Sequence, residues 1–483
     1  MCHHGMCSHA CGGINRRDLL LAAGGSVVGG FLLRAATAAE AAMLAQPETP
    51  NDWPDVSVVF LRPKEKYWLG WPGTSWENKA HDGFVAKCKQ QIEKFGKELK
   101  VRVAFEPEPL HGDEAVDAFV KKLQQTRPKG VIVIPLHMVE WGRVNKIAGA
   151  GVPTIIYAWL GTCFTGHIQT LAKRPGVYLA STSDFELGPV RFGMKMVRTA
   201  FDVRRSRVAI IAGNATKDEV LEPVGLQIRR LPRTRFTETL KTVGATPEVM
   251  AIVEEYQKTA KKIVEPTRED LINAARAYVT ALKILKEENC QGISMDCLGA
   301  VMDRKMPTPP CLAWARLLDA GIPAICEAVV EGAIGHMVCC RLLDKPGFMQ
   351  DPVPDTVRNT FIGAHCVAPT KLHGFDKPSE PFILRSHSES DIGVSVQVLW
   401  KEGQEVTIMQ FVGPGKMILG RGKVLRNLET PPAGGCRTSV ELAIDGPADV
   451  RDTKGFHQLF IYGDHVRDFE AYGQMYGIAT EHI

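Results

Sequence analysis

The chain has 483 residues, 45% apolar and 23% charged, a composition that excludes a disordered or fibrous protein. Its formal net charge of +4 is small for this length, and no basic stripe is interleaved with aromatic residues, which argues against a nucleic-acid partner. The length predicts two or three domains.

The first elements in chain order are targeting signals. Asn15-Arg16-Arg17-Asp18-Leu19-Leu20 is a twin-arginine pattern, a Gly/Ala-rich apolar stretch runs from Leu19 to Leu33, and Ala36-Thr37-Ala38 forms a small-x-small cleavage site. Residues 1–40 therefore read as a Tat export signal. The mature chain is expected in the periplasm or another extracytoplasmic space, or in the cytoplasm if the signal is not used. The apolar stretch is too glycine-rich and interrupted for a permanent span, and no second long apolar segment follows, so no transmembrane segment is expected in the mature chain. The leader also holds Cys2, His3, His4, Cys7, His9 and Cys11, read as incidental because the segment is disposable. Several of the remaining cysteines, such as Cys326, Cys339 and Cys340, lie in apolar contexts and read as buried free thiols rather than disulfides.

From residue 41 to 175 apolar runs alternate with amphipathic stretches. Val56–Leu61, Val101–Phe105, Gly130–Pro135 and Pro153–Tyr157 read as buried parallel strands, with helices near 79–98 and 113–126. This βαβα order predicts a doubly wound sheet. A second such unit is expected over 176–375. Its strands are Val177–Ala180, Arg207–Gly213, Gly292–Asp296 and Ile322–Glu327, and its helices lie near 188–201, 247–288, 311–320 and 328–343. From 376 to 483 short apolar runs separated by Gly and Pro turns predict an antiparallel β domain, sandwich or barrel: Gly393–Leu399, Val406–Phe411 and Lys416–Leu419. The fold class is thus α/β, two doubly wound domains followed by a C-terminal antiparallel β-barrel-like domain.

Four residues carry the candidate chemistry. Glu327, Asp351, His365 and His457 each sit where an apolar run meets a turn. Two carboxylates and two imidazoles from separate segments suit a divalent ion with open positions for a diol. Taken singly, Glu327 is explained equally well as a cap of the helix after it. Asp351 before Pro352 reads as a turn, and the two histidines as satisfied core residues. The series gains weight from acting together.

The sequence from Pro309-Pro310-Cys311 through Gly321-Ile322-Pro323 and Cys326-Glu327 resembles the core of the L-fucose/L-arabinose isomerase superfamily. The likeness continues through Phe348-Met349-Gln350-Asp351, Gly363-Ala364-His365-Cys366, Gly455-Phe456-His457 and Tyr462-Gly463-Asp464. It covers the C-terminal half by motif and the N-terminal half by architecture. It implies a metal-dependent aldose–ketose isomerase, with Mn²⁺ as the expected ion and a free monosaccharide as substrate. It also implies a homo-trimer or homo-hexamer with active sites near subunit contacts. By position, Glu327 and Asp351 match the two carboxylates that bind metal and are placed for proton transfer. His457 matches the C-terminal metal histidine, and His365 the histidine that ligates in the arabinose branch. Val329 and Gln350 stand where an acidic residue often occurs, and the export signal is a further departure.

Such an isomerase moves a proton between C1 and C2 of an open-chain sugar, and a divalent cation stabilises the enediolate charge. Weaker sugar-contact candidates are Asp296 at a strand end, Arg385 and His387 in the polar run opening the β domain, and Trp68 in an aromatic loop. The alternatives are an exported carbohydrate-binding protein lacking catalysis and a metal-dependent sugar epimerase; paired α/β domains serve either.

Overall fold

The computed structural model describes residues 49–64, 79–159, 161–183, 186–431 and 435–483. The export signal at 1–40 and Trp68 lie outside the described residues. No helix among the described residues is long and apolar enough to cross a membrane.

The first sheet has five parallel strands in the order Arg102–Phe105, Asp55–Leu61, Gly130–Pro135, Thr154–Trp159, Val177–Thr182. Every residue of Gly130–Pro135 and Thr154–Trp159 is buried, as strands covered on both faces require. The helices Lys79–Leu99, Gly112–Thr126 and Trp141–Ala148 lie between them in sequence, and Gly188–Arg205 follows the last strand and leads to the second sheet. Gly193 lets this last helix approach the sheet, because a Cβ there would stand 2.8 Å from the Ile155 side chain.

The second sheet runs Ala324–Cys326, Gly292–Met295, Arg207–Ile211, Leu226–Leu231, Lys217–Leu221. Its first four strands are parallel, and the last closes an antiparallel hairpin. Sequence reading passed over that hairpin, because Lys217–Leu221 is polar and largely solvent-facing and offers no apolar run. The long helical region expected over 247–288 is two helices, Pro247–Thr259 and Arg268–Glu287, with the short strand Lys262–Ile263 between them. Pro266 cannot continue a helix. Thr267 then caps the next one, accepting from the Asp270 backbone N–H at 3.3 Å while the Asp270 carboxylate takes the Thr267 N–H at 2.8 Å.

Six antiparallel strands close into a barrel in the order Glu405–Phe411, Gln458–Tyr462, Phe348–Asp355, Thr360–His365, Thr438–Asp445, Lys416–Asn427. The first and last of these pair with each other. The barrel thus takes two strands from before residue 376. Conversely, the run at 393–399 supplies Ser395–Val398, which joins Phe382–Arg385 and Lys262–Ile263 in a separate three-stranded sheet. The helix Val466–Tyr476 reaches back to the first sheet, where the Gln474 amide donates to the Val177 carbonyl at 2.6 Å.

Phe460 fills the barrel, with Phe348, Phe361 and Trp400 rings 6.1–6.3 Å from its own. Gly363 faces it at a spot where any Cβ would collide with the Phe460 ring and stand 2.9 Å from Gln350 Cγ. Gly363→Ala is therefore expected to cost about 1–3 kcal/mol by overpacking. Urea unfolding checks this, and a midpoint equal to that of the parent chain would show that the ring has room to move.

Candidate metal centre

Barrel pairing assembles three of the four sequence-predicted ligands. Gln350 pairs with Gln458 on one side, and Asp351 pairs with Ala364 on the other. One step along each strand, Asp351 comes beside His457 and next to His365. Glu327 arrives from the second sheet, directly after the strand Ala324–Cys326. That is the carboxyl end of a parallel strand, where open α/β sheets bind ligands.

The backbone is constrained at these positions. Glu327, Ala328 and His457 have φ of 60°, 56° and 61°. A non-glycine residue in the left-handed region costs roughly 1–2 kcal/mol and persists only where the surroundings enforce it. Around His457 the enforcement is visible. The Phe456 N–H donates to Gln410 Oε1 at 2.9 Å, and the Gln410 amide donates back to the Phe456 carbonyl. Gly455 precedes this clamp with φ 96°, and a side chain there would strike the Gln410 amide.

His365 Nε2 lies 3.5 Å from Glu327 Oε1. His457 Nε2 is 3.6 Å from Glu327 Oε2, and its Nδ1 is 3.3 Å from Asp351 Oδ1. One donor atom each from Glu327, Asp351 and His365 lies within 4.8 Å of the other two. Ligands bound at about 2.1 Å to one ion stand roughly 3–4 Å apart, so a small contraction seats a cation here. Asp351 Oδ1, His365 Nε2 and His457 Nδ1 are also buried without a hydrogen-bond partner. Orphaned buried polar atoms are uncommon and call for a missing partner; here Asp351 Oδ1 and His457 Nδ1 stand 3.3 Å apart and His365 Nε2 stands 3.5 Å from Glu327 Oε1. The donor set, oxygen and imidazole nitrogen, fits a divalent ion of the Mn²⁺ kind.

Electrostatics separates the two carboxylates. The close approach of His365 Nε2, with the charges of His365 and His457, holds Glu327 below the ordinary carboxylate value against its desolvation. Burial pushes Asp351 up, His365 opposes this, and the charge of Glu327 adds to the rise. Burial pulls His365 down, but the nearby Glu327 carboxylate and the Asp351 charge reverse this and leave it above 6.5. His365 Nδ1 accepts from the backbone N–H groups of Cys366 and Val367 at 3.0 and 3.4 Å. The neutral ring therefore carries its proton on Nε2, facing Glu327, and a cation taken there must displace that proton. Glu327 is 43% exposed while His365 is 8% exposed, so the group opens to solvent on the Glu327 side.

The single-residue explanations fail for the carboxylates. Val329, not Glu327, is the cap of the helix Val330–Leu343. Asp351 lies inside a strand rather than a turn. The weaker candidates fare differently. Asp296 is ion-paired with Arg233 at the end of its strand, and its neighbour Cys297 feels the charges of both Glu327 and Asp296. Arg385 is engaged elsewhere, in a bidentate pair with Glu265 at 2.6–2.9 Å and a bond to Gln397 at 3.1 Å. His387 is buried, with Nδ1 2.9 Å from Ser390 Oγ. Gln350, fully buried, donates its amide N–H to Gln458 Oε1 at 2.9 Å, and its own Oε1 is buried without a partner.

Sequence reasoning missed three neighbours. Glu389 contributes to raising Asp351. Phe456, 53% exposed, sets its ring edge-on to His457 at 4.2 Å and offers an apolar face beside the ligands. His336 is wholly buried behind the group, with both ring nitrogens unpartnered; burial, then the charge of His365, pushes it to about 3. The Gly-Phe-His and Ser-Glu-Ser contexts gave a signal for the first two, whereas His336 sits in an apolar helix with none.

All ten described cysteines are free thiols. No family model and no curated protein matches the chain. Among solved structures, a periplasmic solute-binding protein of an ABC transporter from Actinobacillus succinogenes 130z, with bound D-allose, is 10% identical. The match covers 53% of this chain and 84% of that one, with a TM-score of 0.17. LsrB from Clostridium saccharobutylicum, in complex with AI-2, is also 10% identical over 64% of this chain and 88% of that one, with a TM-score of 0.18. At such scores these likenesses assign no function, and the candidate site rests on its own geometry.

Proposed function

We propose that this chain is a divalent-metal-dependent aldose–ketose isomerase of the L-fucose/L-arabinose isomerase superfamily, exported by the Tat route and acting on a free monosaccharide. One observation carries the reading: Glu327, Asp351 and His365 bring one donor atom each within 4.8 Å of the other two, and His457 flanks them, 3.3 Å from Asp351 Oδ1 and 3.6 Å from Glu327 Oε2. These four residues would hold the ion. When bound, a cation such as Mn²⁺ supplies Lewis-acid stabilisation of negative charge on neighbouring sugar oxygens.

The chain's own groups supply the rest. Glu327 is ionised and solvent-facing, as a base needs to be. Asp351 is more protected and holds its proton more readily. Paired carboxylates pushed apart in this way suit proton removal from one carbon and return to its neighbour. His365 and His457 fix both carboxylates in place, and the exposed Phe456 ring offers a flat face for a sugar.

A second reading, a carbohydrate-binding protein without catalysis, draws on the departures at Val329 and Gln350, neither of which gives the group a further acid. A panel of aldoses assayed for ketose formation with and without Mn²⁺ separates the two. The isomerase reading expects Mn²⁺-dependent ketose that EDTA abolishes. Sugar-induced thermal stabilisation independent of metal, with no ketose from any sugar, would favour binding alone, and epimer formation instead of ketose would favour an epimerase.

A further inference from the structure

A second site lies at the opposite end of the sheets. A cavity of about 440 Å³ is lined by Lys100, Arg198, Arg205, Arg207 and Arg341, with Asp202 as its one carboxylate. The rest of the lining is Ser206, Gln227, Asn289 and Gln291, so no apolar side chain of a described residue lines it. Arg207 opens the strand Arg207–Ile211, and Gln291 immediately precedes Gly292–Met295. The cavity therefore sits at the amino ends of the second sheet's strands, whereas Glu327 follows a carboxyl end.

Two of the guanidinium groups are incompletely satisfied. Arg198 is neutralised by Asp202 at 2.8 Å, and Arg207 Nη2 by Asp218 at 2.8 Å. Yet Arg207 Nε is buried without an acceptor. Arg341, in the last turn of Val330–Leu343, also has its Nε buried without an acceptor, and its guanidinium forms no ion pair with a described residue. Basic side chains normally find acceptors when buried, since an unpartnered N–H loses its hydration for nothing in return. The missing partner must bring several oxygens and negative charge to forked N–H donors, which is the geometry of a phosphoryl group. The volume exceeds what a phosphate ion fills and leaves room for a small polar body attached to it.

From the cavity and the unpartnered Nε atoms of Arg207 and Arg341 we infer a binding site for a phosphoryl group, either inorganic phosphate or the phosphate of a small polar metabolite such as a sugar phosphate. The all-polar lining disfavours an apolar tail, and the position between Arg198 of the helix Gly188–Arg205 and Arg341 of the helix Val330–Leu343 makes the ligand a bridge between the two helices.

Calorimetric titration of the full chain with inorganic phosphate, a hexose 6-phosphate and the free hexose tests this. The two phosphates should bind saturably, more weakly as salt rises. The hexose phosphate binding more tightly than phosphate assigns the site to a metabolite, and equal affinities assign it to the free ion. Arg341→Gln should weaken phosphate binding tenfold or more, whereas Arg341→Lys should lose less because charge remains. Because the Arg341 guanidinium forms no ion pair with a described residue, the variant should fold, and an unchanged response to Mn²⁺ verifies this. No saturable phosphate binding at millimolar concentration, or the same affinity in Arg341→Gln, overturns the inference.

Discussion

Replacing Glu327 by Gln should lower aldose–ketose exchange by about 10²–10⁴-fold while leaving the fold intact. The substitution keeps the shape and one acceptor oxygen, so His365 Nε2 can still face an amide oxygen where it now faces Glu327 Oε1 at 3.5 Å. What disappears is the charge, and with it both a ligand and the more readily ionised of the two carboxylates. The loss should appear chiefly in kcat, because a proton-transfer group acts in the transition state rather than in substrate binding. Steady-state kinetics at saturating Mn²⁺, beside a circular-dichroism spectrum matching the parent chain, is the measurement. Turnover within about threefold of the parent would move the proton-transfer role to another residue.

Saturating Mn²⁺ should stabilise the chain, by about 2.7 kcal/mol at a hundredfold excess over Kd. The gain should be larger at pH 8 than at pH 6. In the metal-free chain His365 has a pKa raised above 6.5. Its ion pair with Glu327 thus contributes fully below 6.5, and the contribution is lost as pH rises through the raised value. A cation must displace the same proton, so its affinity runs the other way and grows over that interval. Thermal unfolding with Mn²⁺ or EDTA at both pH values gives the comparison. Asp351→Asn should lose most of the increment, since it removes the charge of one ligand. A pH-independent increment surviving in Asp351→Asn would place the ion elsewhere.

Legibility in the sequence followed burial. Strands covered on both faces, such as Gly130–Pro135, announce themselves as apolar runs, and the bounds read there match the structure. The hairpin strand Lys217–Leu221 is exposed, so hydrophobicity leaves no trace of it. The break between Pro247–Thr259 and Arg268–Glu287 was written locally, in Pro266 and the Thr267 cap, but was hidden by the continuous polar pattern around it. The candidate ligands were legible by resemblance and by their place at the ends of apolar runs. Their partners were not: Arg385 looked free in sequence, because Glu265, which occupies it, lies 120 positions earlier in the chain. Pairings over such distances are decided by which strands become neighbours, and residue type at a single position does not encode that.

The division of the ligands between two sheets has a mechanical corollary. Glu327 hangs from the edge of a parallel sheet, while Asp351, His365 and His457 belong to the barrel rim. Any hinging of one unit away from the other would pull the carboxylate out of reach of its imidazoles and split the cage. An ion captured there would act as a clasp, and its release and the parting of the two bodies would become a single event.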